Sequence, residues 1–144
     1  MKARDFLNNV QHDRIVQAIG QAESRTSGEI RVFVSRKPAG DPVAEATKQF
    51  ARLGMEKTRG RNGVLIFVAP ASRSFAVIGD TAVHNKCGQE FWTRLTADMT
   101  GLFKAGDFTG GLIKGIEAAG VLLASHFPRQ ADDIDELPND VVEG

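Results

Sequence analysis

Three polar residues far apart in the chain, Glu29, Asn62 and Asp80, have side chains able to do chemistry together. Two carboxylates and an amide oxygen are the donors that a hard cation such as calcium or magnesium selects. A cation so held would polarise a phosphoryl oxygen or lower the pKa of a bound water. Arg61 and His84 stand beside them as secondary candidates, histidine being the side chain that ordinarily titrates near neutrality. Each residue also has a plainer use. Asp80, ahead of Thr81-Ala82-Val83-His84, would cap a short helix. The Asn62-Gly63 pair would make a left-handed turn into a strand. Glu29 would be a solvated strand end, and His84 a partly exposed surface histidine.

The elements that must gather these residues can be read from hydrophobic spacing. Ile15, Ala18, Ile19 and Ala22 lie on one helical face, predicting a helix from about Val10 to Arg25 capped by Asn8 or Asn9. Ile30, Val32 and Val34 alternate with Glu29, Arg31 and Ser35, the period of a strand. Asp41 followed by Pro42 starts a second helix, whose apolar face is Val43, Ala46, Phe50 and Leu53. Val64 to Ala69 is apolar without alternation, as in a strand covered on both faces. The link Pro70-Ala71-Ser72 is too short for anything but an antiparallel hairpin, so Arg73 to Gly79 returns alongside. The first two strands are expected to be parallel with a right-handed crossover. On that topology Glu29 and Asn62 begin the parallel strands, and Asp80 arrives at the same edge from the opposite direction.

Two helices follow, one from about Gln89 to Lys104 and one capped by Asp107 with Leu112, Ile113, Ile116, Ala119 and Leu123 as its stripe. The expected fold is a three-layer α/β/α sandwich with a small mixed sheet and about four helices. Residues 1–128 form the domain. Residues 129–144, with Asp132-Asp133-Ile134-Asp135-Glu136-Leu137-Pro138, read as an acidic tail, mobile or laid extended over it. In open α/β sheets ligands usually bind at the carboxyl ends of the parallel strands. That opposite edge, with Ser35, Arg36, Lys37 and Pro70, is a second and basic candidate.

Composition narrows the function. Residues 1–74 hold 13 Lys and Arg against 7 Asp and Glu, and residues 75–144 hold 5 against 11. The basic excess at Arg52, Lys57, Arg59, Arg61 and Arg73 has no interleaved aromatic residues. With a pI near 6.8 it reads as a solvated loop, not a nucleic-acid surface. No phosphate-binding loop, dinucleotide fingerprint or nucleophile elbow occurs. His12, His84 and His126 lack zinc-site spacing, and Cys87 reads as a structural thiol. One cysteine and no apolar run of roughly 20 residues suggest a soluble, cytoplasmic chain without a transmembrane segment.

Gly28-Glu29-Ile30-Arg31-Val32, Arg61-Asn62-Gly63-Val64-Leu65-Ile66, Phe75-Ala76-Val77-Ile78-Gly79-Asp80 and Phe103-Lys104-Ala105-Gly106-Asp107-Phe108-Thr109-Gly110-Gly111-Leu112 resemble the TPM domain family in order and spacing. The family is named for a thylakoid lumen protein, a photosystem II repair protein and a levamisole-receptor auxiliary protein. The resemblance covers roughly residues 6–128. It implies an α/β/α sandwich, and members that are often membrane-tethered or secreted. Some bind divalent cations such as calcium, one is described as an acid phosphatase, and others assist membrane complexes or receptor assembly. Many members carry an acid before the Asn-Gly pair, where Arg61 stands here, which would weaken a cation site. The chain looks like a short branch lacking the signal and membrane segments common in the family.

Two functions follow as expectations. One is a non-catalytic binding or accessory domain engaging a protein partner, with a divalent cation as a possible structural component. The other is a metal-assisted, acid-phosphatase-like hydrolase working through Glu29, Asn62 and Asp80.

Overall fold

The computed structural model describes residues 1–130 and 140–144. The elements are α1 (Ala3–Asn8), α2 (His12–Glu23), β1 (Glu29–Val34), α3 (Pro42–Arg52), β2 (Gly63–Ala69), β3 (Ser74–Gly79), α4 (Thr81–Lys104), α5 (Phe108–His126) and β4 (Val141–Glu143). The sheet order is β3-β2-β1-β4. β1 and β2 are parallel with Glu29 opposite Gly63, and β3 returns antiparallel with Gly79 opposite Val64. The expected three-layer α/β/α sandwich is therefore present. Ile30, Val32, Val64, Ile66 and Val77 pack with α2, α4 and α5, whereas Phe33, Leu65, Phe67 and Ala76 pack with α3.

Local chemistry explains most boundaries. Asp41 Oδ1 accepts from Ala44 N at 3.1 Å with Pro42 in the first turn, and Asp107 Oδ1 accepts from Gly110 N at 2.8 Å. Each replaces a helix–water hydrogen bond with a side-chain cap. The cap expected for α2 differs: Asn9 closes α1, where its Nδ2 donates to Asp5 O at 2.7 Å, and Gln11 leads into α2. α4 joins two helical stretches: Asp80 caps a short one from Thr81, and Gly88, non-helical at φ 72°, separates it from the longer one that starts at the expected Gln89. Glycine carries no Cβ penalty there.

α5 is long and apolar enough to cross a membrane on length and composition. Here its Leu112, Ile116, Ala119 and Leu123 are fully buried in the core against the sheet and the neighbouring helices. The half-buried alternation expected of β1, with Glu29 as a solvated end, is not what forms. All six residues are buried because α3 covers the second face of the sheet.

The last residues are not a free tail. Val141–Glu143 pair in parallel with Val32–Val34, adding an edge strand that hydropathy does not foretell. The acidic run expected at Asp132 to Pro138 lies outside the described residues. Asp140 Oδ1 meets His12 Nε2 at 2.8 Å and also accepts from Val141 N at 2.7 Å. Those contacts, the His12 hydrogen bond foremost, hold the Asp140 carboxyl below its ordinary value of 3.8. A carboxylate depressed in the folded state stabilises that state fully above the ordinary value and loses the contribution as pH falls below it. Amide-exchange protection of Gly144, which donates to Val34 O at 3.0 Å, should therefore decline from pH 5 towards pH 3. Protection that is flat over this interval would show that the His12–Asp140 contact does not hold β4.

Candidate functional site

The rim at the amino ends of β1 and β2 assembles as the hairpin reversal requires. Gly63 lies between Glu29 on one side and Asp80 on the other, and Asp80 N donates to Gly63 O at 2.9 Å. Glu29, Asn62 and Asp80 are all buried, at 2%, 2% and 6% exposure. Glu29 is thus not a solvated strand end. The glycine at 28 is required by the same crowding, since a Cβ there would sit 2.9 Å from Leu123 and 3.0 Å from Asn62 O.

What the side chains do at this rim differs from shared ligation. Arg61 Nε donates to Asp80 Oδ2 at 2.9 Å and Arg61 Nη2 to Asp80 Oδ1 at 3.0 Å, a bidentate pair. Asp80 Oδ1 also accepts from Thr81 N at 2.7 Å, at the positive end of α4. Both oxygens of Asp80 are therefore engaged, and Asp80 does serve as the helix cap. The pair raises the already high pKa of Arg61, chiefly through the Asp80 hydrogen bond. Arg61 is the left-handed residue of the turn, with φ 49°, and that twist aims its side chain at Asp80. The turn expected at Asn62-Gly63 is therefore made one residue earlier.

Asn62 Nδ2 donates to Ser27 Oγ at 3.2 Å, and its buried Oδ1 has no hydrogen-bond partner among the described residues. Glu29 lies across β2 from Asp80, at two strand spacings, roughly 10 Å between Cα atoms. Ligation of one calcium needs oxygens within about 2.3–2.6 Å of the ion. Asp80 would have to release Arg61 first. Among the described residues no three His, Cys, Asp or Glu side chains converge as a metal-ligand group.

The secondary candidates are also assigned. His84 is exposed on the first turn of α4, and its Nδ1 accepts from Trp92 Nε1 at 3.1 Å. That nitrogen is therefore occupied as an acceptor. Cys87 is half-buried, and desolvation pushes its thiol above its ordinary value of 9.0, which suits a structural residue.

A second charged group on the rim was not anticipated. Glu23, at the end of α2, accepts from Ile30 N at 2.7 Å through Oε2, so a buried carboxylate caps the start of β1. Arg31 is 8% exposed and faces the charges of Asp140, Glu23 and Glu29. Burial lowers the pKa of Arg31, and the three carboxylates oppose that shift. One sequence signal was available: Glu23 extends the stripe Ile15–Ile19 by another four residues, placing an acid where the helix is otherwise apolar.

The model of the TPM domain family matches residues 1–122. The BA42 protein from the psychrophilic bacterium Bizionia argentinensis, solved by NMR, is similar at 41% identity and TM-score 0.84, covering 92% of each chain. The N-terminal domain of a P. gingivalis protein shares the fold at 16% identity and TM-score 0.60, covering 79% of this chain and 76% of that one. No curated protein matches the chain.

Proposed function

Because the chain belongs to the TPM domain family, we propose that it is a non-catalytic binding or accessory domain with a cytoplasmic protein partner, and that Arg61 serves as a built-in cation at its rim. The observation that carries this reading is the bidentate Arg61–Asp80 pair. A guanidinium already neutralises the buried carboxylate, so Asp80 needs no added ion for charge balance. The acidic run of the C-terminal segment supplies negative charge that a basic partner would recognise.

A second reading, metal-assisted hydrolysis of phosphomonoesters, is favoured by the name of the matching family model, TPM phosphatase. It requires a metal to displace Arg61 from Asp80. One experiment separates the two. Affinity capture with the intact chain should recover a partner whose purified form binds it saturably. A chain with Asp132, Asp133, Asp135 and Glu136 changed to their amides should bind that partner more weakly. If no saturable partner emerges, and phosphate is released from a phosphomonoester with magnesium or calcium but not by Asp80→Ala, the accessory reading fails and the hydrolytic one replaces it.

A further inference from the structure

A cavity opens at the opposite edge of the sheet. We propose that the cavity between β3, α1 and the α4–α5 turn binds a small amphipathic anion, an apolar body ending in a carboxylate or phosphate. The cavity has a volume of about 540 Å³, within the roughly 300–1,000 Å³ of small-molecule sites. It lies at the carboxyl end of β2, lined by Val68 and Pro70, where open α/β sheets usually receive ligands.

Its walls are four phenylalanines held against one another. Phe103 contacts Phe75 at 5.0 Å edge-to-face and lies 6.4 Å from both Phe6 and Phe108, while Phe6 and Phe108 are 5.0 Å apart. Aromatic side chains so packed offer a rigid apolar surface at little entropic cost. Two cationic side chains complete the lining, Arg73 and Lys104, both exposed and neither in an ion pair among the described residues. No described acidic residue lines the cavity. An apolar chamber with two cations and no anion is complementary to a molecule with an apolar body and one negative head.

Arg73 is placed by backbone geometry. It closes the turn after β2 in the left-handed conformation, φ 49°. Asparagine tolerates that conformation and removes the charge, so Arg73→Asn is the suitable neutral variant.

The test uses decanoate, decyl phosphate and decanol, titrated into the full chain and followed by NMR. Decanoate and decyl phosphate should shift the resonances of Phe75, Phe103 and Thr100 saturably, and decanol should bind roughly tenfold more weakly. Arg73→Asn with Lys104→Gln should reduce decanoate affinity by about the same factor while leaving decanol unchanged. Thr100→Phe, which fills the cavity from α4, should abolish binding of all three with the remaining spectrum native. Should that variant fail to fold, the charge variant still decides. Decanol binding as tightly as decanoate, or no saturable shift at these residues with either anion, would overturn the proposal.

Discussion

Replacing Arg31 by methionine should hold the stability of the fold within about 1 kcal/mol of the parent, where loss of a well-paired buried charge would cost about 3–5 kcal/mol. Arg31 is buried, its Nε has no hydrogen-bond partner among the described residues, and burial lowers its pKa more than the charges of Asp140, Glu23 and Glu29 raise it. A guanidinium whose charged form is disfavoured by burial contributes no net stability through that charge. Methionine fills much of the same volume, so no large cavity term is added. Urea unfolding that places Arg31→Met about 3 kcal/mol or more below the parent would mean that Arg31 is the paired partner of those carboxylates.

A larger effect is expected at Arg61. Arg61→Asp places a carboxylate at a left-handed position that aspartate accepts readily, beside the buried Asp80 and the unpartnered Oδ1 of Asn62. The rim then holds repelling anions and an amide oxygen with no guanidinium between them. The variant should be less stable than the parent in chelator and should regain stability in calcium. With a dissociation constant of about 10⁻⁴–10⁻³ M, typical of modest extracellular-type sites, 10 mM calcium should raise its midpoint by roughly 5 °C. The parent should not respond.

How far the sequence reaches is set by how local each determinant is. Asp41-Pro42, Asp107 and the unbroken run Val64 to Ala69 act on their own neighbours, and the helices and central strand they imply are the ones that form. The gathering of Glu29, Asn62 and Asp80 on one rim also follows from a local fact, the three-residue link after Ala69. Their bonding does not. It depends on the twist at Arg61, which turns a residue read as part of a solvated loop into the partner of Asp80. The burial of Glu29 and Arg31 is not legible in β1, because alternation reports one buried face and cannot reveal that α3 covers the other. β4 escaped notice for a similar reason: two valines and a glutamate become a strand only because the edge of β1 is open to them.

On the reading proposed above, Arg61 takes the place at Asp80 that a metal ion would otherwise fill. A calcium titration of the unmodified chain, followed residue by residue in its NMR spectrum, should leave the amides of Arg61, Asn62, Asp80 and Thr81 where they are up to millimolar calcium. Saturable shifts centred on those four residues would show instead that calcium displaces the guanidinium.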